Sequence, residues 1–385
     1  MAGSAQEFAR LLTEAVHTIR IRETKVAKKT IRLVQDELGY ALGREGGSCI
    51  EYWRKGNIPA TLEDLEALAR ELVKRNGLTP EALKQLLTSA GHPQPATLTN
   101  ELYPPRQEFA PFVVGPPITH PRQFFGREQE LKRIFGLWKR FPLQNVAVIG
   151  LPRSGKTSLL QYLQQITNAA PGQLRPGQRT DWLPQPERYR WVLVDFQDAR
   201  MGQPERLLRY LLASLDLPVP EPCRLSNFLD TVGQYLQNPA LILMDEIGAG
   251  LASPELDQQF WWSLRSLSNY TEGKLGFLLT AHEAPALLAH EHGKPSPFFN
   301  IFGHTLNLGP FGEAEARELL ASSPKPFAPA DVEWMLAQSG RWPVLLQILG
   351  DTCLTALEEG QAGPAWRAEG LSRIAPFQYL LEAAC

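Results

Sequence analysis

The residues best equipped for chemistry lie in the stretch 145–160, NVAVIGLPRSGKTSLL. Gly150, Gly155, Lys156 and Thr157 match the spacing G-x-x-x-x-G-K-[ST], and each fixed position has a physical job. The glycines open backbone conformations closed to other residues, so successive N–H groups, those around Ser154 and Ser158 included, can converge on phosphate oxygens. A helix opening at this point adds the partial positive charge of its N-terminus. Lys156 is placed to reach the β- and γ-phosphates, and the Thr157 hydroxyl to ligate Mg2+. A second set of groups closes the apolar run Ala240-Leu-Ile-Leu-Met, where Asp245 would hold Mg2+ through water and Glu246 would polarise the attacking water. Together these residues predict binding and hydrolysis of a nucleoside triphosphate.

Such groups need an α/β scaffold, because the C-terminal edge of an open parallel sheet is where loops meet phosphates. The sequence supplies one. Short apolar runs predict buried strands at residues 146–149, 191–196, 240–245, 274–279 and 305–308, with helices between them. Leu131, Ile134, Phe135 and Trp138 mark an amphipathic helix before the first strand, and residues 207–215, 228–236 and 313–320 mark others. Residues 171–190, rich in Gln, Pro and Arg, read as a surface insertion. Beyond residue 330 the pattern is helical, with Pro343 suited to the first turn of a long helix ending near Leu357.

At 385 residues the chain has room for two or three domains, and 43% hydrophobic with 21% charged residues describes a water-soluble globular protein. A net charge of −2 offers no whole-chain basic field for nucleic acid. Cys49, Cys223, Cys353 and Cys385 stand far apart without a C-x-x-C, against a zinc knuckle or disulfide framework, so a reducing cytoplasm fits. No leader and no apolar run of membrane-spanning length is visible, so a cytoplasmic location without membrane contact is expected.

Residues 1–90 are helical in pattern: Phe8, Leu11, Leu12, Ala15, Val16 and Ile19, then Ile31, Val34 and Leu38, then Leu62, Leu65, Leu68 and Leu72 behind a Thr61–Asp64 cap. Arg20, Arg22, Lys25, Lys28, Lys29 and Arg32 against Glu23 make a local basic excess that could neutralise DNA phosphates, or simply form a solvated helix face. Residues 91–122 are so proline-rich that an extended, semi-stiff linker is expected there.

Two resemblances follow from these motifs. Gln35-Asp36-Glu37-Leu38-Gly39, Ile50-Glu51-Tyr52-Trp53-Arg54-Lys55-Gly56 and Pro59 resemble the repressor-type helix-turn-helix domains of phage and bacterial regulators, although Arg44-Glu45-Gly46-Gly47 makes a longer turn. Phe124-Phe125-Gly126-Arg127-Glu128-Gln129-Glu130-Leu131, directly before the phosphate loop, is similar to the F-x-G-R-E-x-E-L box of AAA+ ATPases of the Orc1/Cdc6 and signal-transducing (STAND) branches. That likeness implies that Gly126 and Arg127 border the adenine site, and that Thr280, in the position of the sensor-1 residue, senses the γ-phosphate. Ala281 and His282 replace the Ser and Arg that commonly follow it. Gly340-Arg341-Trp342-Pro343 resembles the Gly-Gly-x-Pro lid box that closes over the nucleotide. Arg341 is then either a surface residue or a cation reaching the γ-phosphate.

The expected architecture is therefore a helical domain at 1–90, a linker at 91–122, a P-loop AAA+ core at 123–312 and a helical lid at 313–385. The resemblance implies an ATPase switch that changes shape or assembles with copies of itself on Mg-ATP and signals to an effector on another chain, in bacterial defence or signalling. An alternative is a DNA-loading or transposition-target factor that contacts DNA through residues 20–56 and recruits an enzyme.

Overall fold

The computed structural model describes residues 2–24, 29–103, 109–361 and 363–382, and its contacts divide the chain into two compact units, 1–108 and 109–385. The first unit is all helical: Ala2–Thr24, Ile31–Ala41, Ser48–Arg54, Leu62–Lys74, Pro80–Ser89 and Pro95–Leu102. Phe8, Leu12, Val16, Ile19, Leu38, Ile50, Leu68 and Leu72 are wholly buried in one core. Thr30, Thr61 and Thr79 cap three of the helices, each side-chain oxygen accepting a backbone N–H of the first turn. Leu62, expected in the apolar stripe, is instead 45% exposed, because it opens its helix before the buried face begins.

Ile31–Ala41 and Ser48–Arg54 approach through glycine. A Cβ on Gly39 would lie 1.9 Å from the Gly46 carbonyl oxygen, and one on Gly47 would lie 2.5 Å from the Gln35 carbonyl carbon. Asp36 completes the junction by accepting the Gly47 N–H at 2.8 Å. One cation of the basic run, Lys29, is paired here. Lys29 pairs with Glu23 and Glu37 at 2.8 and 2.7 Å, and Arg75 pairs with the same two carboxylates at 2.6 and 2.5 Å. The Arg75 guanidinium holds the Glu23 carboxyl below its usual range. Lys25 and Lys28 lie outside the described residues.

The expected linker is not a separate element. Pro95 sits at the first turn of a helix, where its missing N–H costs nothing, and no proline follows until Pro104. Leu98 of that helix joins the core of the first unit. Residues 109–122 belong to the second unit, where Phe112 is buried and the Val113 N–H donates to Gln347 Oε1 at 2.8 Å.

The second unit is built on five parallel strands: β1 (Val146–Ile149), β2 (Arg190–Asp195), β3 (Ala240–Asp245), β4 (Leu275–Ala281) and β5 (His304–Asn307), in the order β2-β3-β4-β1-β5. β3 and β4 are buried along their whole length, as strands covered by helices on both faces must be. On one face pack helices Pro204–Ser214, Leu225–Tyr235 and Gln258–Tyr270, and on the other Glu128–Trp138 and Lys156–Ile166. The stretch 171–190 is more than a surface insertion: Trp182 stacks on Phe135 at 5.1 Å and Tyr189 donates to the Trp138 carbonyl at 3.0 Å. Two aromatic anchors thus tie a polar segment to the core.

A third cluster gathers Glu313–Ala321, Pro329–Ser339, Pro343–Glu358 and Trp366–Ile374, with Phe112 and Phe311 packed into it. The α/β P-loop sheet, its helical cluster and the preceding helical unit agree with the fold class expected.

Replacing Gly39 with alanine will force apart two helices whose backbones touch, at a cost of about 2 kcal/mol or more. Hydrogen exchange on the full chain should show faster opening in residues 31–54 and unchanged protection in the sheet; equal protection in both would contradict the packing described.

Candidate nucleotide-binding site

β1 ends at Gly150, whose N–H donates to the Ala281 carbonyl of β4 at 3.1 Å. The loop then turns through Arg153 (φ 67°) and Gly155 (φ 97°) into helix Lys156–Ile166. Gly155 suits this left-handed cap, whereas Arg153 adopts it against its side chain's preference. The Lys156 ammonium is buried and donates to the carbonyls of Gly150 at 2.9 Å and Leu151 at 3.1 Å. Burial pushes its pKa down, opposed by the charges of Glu246 and Asp245.

The opposite wall comes from the ends of β3 and β4. Asp245 is buried, and both of its oxygens are engaged: Oδ2 accepts from the Thr157 hydroxyl at 2.7 Å and Oδ1 from the Thr280 hydroxyl at 2.6 Å. Thr280, wholly buried, in turn accepts the Glu246 N–H at 3.0 Å. Glu246 is held in the left-handed region at φ 52°, a conformation that a non-glycine residue keeps only where its surroundings impose it. The structure therefore joins Thr157, Asp245, Thr280 and Glu246 in one chain of hydrogen bonds. It directs the single Thr280 proton to Asp245.

Other expected residues are distributed unevenly around this centre. Ser154 is wholly buried, and its Oγ has no hydrogen-bond partner among the described residues. The Ser158 hydroxyl accepts the Ile118 N–H at 3.0 Å, facing the segment before the box and not the loop interior. His282 is exposed beside Glu283. Gly126, Phe124, Tyr162 and Arg341 line a cavity of about 990 Å3, but no residue of 150–158 does, so that cavity lies beside the phosphate loop. Arg341 (φ 64°) is exposed and offers its carbonyl to the Phe311 N–H at 2.9 Å. Pro343 starts its helix as expected.

Arg127 departs most from expectation. It is 4% exposed, and its guanidinium donates to the carbonyls of Gly309 at 2.7 Å and Ser154 at 3.1 Å and to Glu130 at 3.3 Å, while lying 4.9 Å from the Phe311 ring centroid. Two contacts had no sequence signal: Arg153 donating to the Gly115 carbonyl, and the Tyr379 hydroxyl donating to the Pro152 carbonyl at 3.3 Å.

These residues fit a metal-bound triphosphate. Thr157 and Asp245 present a hydroxyl and a carboxylate side by side, the hard oxygen donors Mg2+ takes, and the buried Ser154 hydroxyl is an orphan within the loop. No cluster of three or more His, Cys, Asp or Glu suited to a metal occurs among the described residues. No helix among them is long and apolar enough to cross a membrane.

A sequence model of the family described as "AAA domain" matches residues 141–286, so the chain carries an AAA-type P-loop domain. Solved structures similar to the chain include the Walker-type ATPase of Pyrococcus abyssi, at 18% identity over 71% of this chain and 79% of that one with a TM-score of 0.49. The ORC2 protein of Aeropyrum pernix, in ADPNP-ADP complexes, is 16% identical over 68% and 69% with a TM-score of 0.49. The ORC1 protein of the same organism, in complex with DNA, is 14% identical over 65% and 66% with a TM-score of 0.43. No curated protein matches.

Replacing Thr280 with valine keeps the shape but leaves the Glu246 N–H and one Asp245 oxygen without their partner, at a cost of about 1–3 kcal/mol. Denaturant unfolding of the full chain should show the loss in Thr280→Val and most of it restored in Thr280→Ser; an unperturbed valine variant would remove the hydroxyl from the network.

Proposed function

We propose that this protein is an ATPase switch of the AAA+ type, related to the signal-transducing and Orc1/Cdc6-like branches, that binds Mg-ATP at residues 150–158 and hydrolyses it slowly. The observation that carries the reading is the continuous link from the loop threonine to the second carboxylate, Thr157 to Asp245 to Thr280 to Glu246. In the reaction, Lys156 exchanges its loop carbonyls for β- and γ-phosphate oxygens, which restores the compensation its buried charge needs. The metal supplies charge neutralisation on the phosphates when bound, with Thr157 and Asp245 as its protein donors. Ser154 and the N–H groups of the loop orient the phosphate chain. Glu246, fixed through its backbone to Thr280, orients the attacking water and holds its proton. Thr280 acts through Asp245 and Glu246, its single proton directed to Asp245.

In this reading, ATP binding changes the relation of the helical cluster 313–382 to the sheet, promotes assembly of copies of the chain and is relayed to an effector on another polypeptide. The close approach of two helices of the first unit at Gly39 and Gly47 supports reading it as a helix-turn-helix-like domain. A DNA-loading role through residues 20–56 is the second reading. Glu51 and Tyr52 on the exposed face of Ser48–Arg54, and the neutralised Lys29 and Arg75, favour a protein partner over phosphate contact. The cytoplasm is the compartment that suits either role.

Lys156→Ala should abolish ATP binding, while Glu246→Gln should keep binding and slow hydrolysis by roughly 100-fold or more. Calorimetry and phosphate release measure the two, and wild-type protein that binds no ATP would end the proposal. Particle imaging with ATP separates the readings: assemblies without duplex DNA support the switch, and salt-sensitive filaments that need DNA support loading.

A further inference from the structure

We infer that Arg127 is a positioning residue that clasps the phosphate loop to the hinge of the helical cluster, and that it makes no contact with the base of a bound nucleotide. The inference rests on the nucleotide-binding reading of residues 150–158 and assigns how that site is kept in shape.

Three observations converge on it. Arg127 is buried in the left-handed region at φ 64°, directly after Gly126 and at the N-terminus of Glu128–Trp138, so its backbone is fixed before its side chain is placed. One guanidinium nitrogen serves two carbonyls from distant parts of the chain: Ser154, inside the phosphate loop, and Gly309, in the turn after β5. Burial pushes the guanidinium pKa down, with Glu130 and Glu315 opposing, so the charge stays inside because these partners compensate it.

The far side of the clasp continues into the helical cluster. The guanidinium lies over the Phe311 ring, the Phe311 N–H donates to the Arg341 carbonyl, and Phe311 itself belongs to the cluster's core. Glu315, in the first turn of Glu313–Ala321, reaches back to the Glu128 N–H at 3.3 Å and to the Gly312 N–H at 2.9 Å. One end of this unbroken path fixes the Ser154 peptide and the other fixes residues 309–312, where the chain passes from sheet to helices. A movement at either end must strain or break the bonds at Arg127. Three of its five N–H groups are used in this way, its side chain lies between Phe311 and Glu130, and Arg127 is not among the residues that line the cavity beside Gly126.

The test compares a ligand that has a base with one that lacks it. Binding of ATP and of inorganic tripolyphosphate, each with Mg2+, is measured by calorimetry on the wild-type chain and on Arg127→Met, Arg127→Lys and Phe311→Leu, with hydrogen exchange on the same proteins. A clasp predicts that Arg127→Met loses at least about tenfold in affinity for both ligands alike, that Arg127→Lys loses less, and that exchange rises together in residues 150–155 and 309–313. Phe311→Leu, which keeps the fold's apolar contact but removes the ring, should show the same pattern more weakly. A loss confined to ATP with tripolyphosphate unchanged would make Arg127 a base contact and overturn the inference, as would unchanged exchange at either segment. Lys156→Ala separates the two levels: it should abolish binding of both ligands while leaving residues 309–313 protected. If the wild-type chain bound neither ligand, the nucleotide reading would fail, whereas the paired rise in exchange would still decide the clasp.

Discussion

A carboxylate out of water must be compensated, and Asp245 is where the second unit meets that demand. Its two oxygens take one hydroxyl from the helix after the phosphate loop and one from the neighbouring strand, both neutral donors. The buried Lys156 ammonium nearby has its pKa pushed down by burial, with the charges of Glu246 and Asp245 opposing that shift. The Thr157 hydroxyl on Asp245 holds the start of the helix after the loop against the end of β3.

Topology makes the requirement easy to satisfy. With β4 between β1 and β3, the strand that separates the loop from the carboxylates is also the one that carries Thr280. Parallel pairing puts all three strand ends on the same edge, and the register setting Val148 opposite Thr280 brings the hydroxyl level with the start of the loop. Glu246, one residue past the strand, is then turned by its left-handed backbone while its N–H remains tied to Thr280. A strained residue next to a fully satisfied one is the usual signature of an arrangement that packing imposes.

Legibility in the sequence varied with the range of the interaction. The central strands β1, β3 and β4 were readable because strands covered on both faces must be apolar, and the phosphate loop because its glycines and lysine are close in sequence. The box at residues 124–131 was readable as a motif, but not the use of its arginine, since the Arg127 partners are carbonyls 27 and 182 residues away and carbonyls have no residue type. Proline density averaged over residues 91–122 hid Pro95, where proline opens an α-helix. In the same way the polar composition of residues 171–190 hid Trp182 and Tyr189, two side chains that bury enough surface to dock the whole segment. The pairing of Lys29 in the basic run at residues 20–32 could not be read locally, because its partner Glu37 and the competing cation Arg75 lie later in the chain.

A shape change driven by a nucleotide has to come from the joints between these packed bodies, since a sheet covered on both faces resists deformation. The helical cluster has its own apolar core, separate from the two that cover the sheet, and the chain enters it through residues 308–312. A hydrogen bond to a buried charge contributes about 1.5–3 kcal/mol, whereas moving an equilibrium from 1:99 to 99:1 takes about 5.5 kcal/mol. No single contact at the joint can therefore set the position of the cluster. Under the proposed function, a nucleotide that engaged the Ser154 peptide, Lys156 and Asp245 would act on several such contacts together, and it would shift the equilibrium only by the difference between its affinities for the two arrangements.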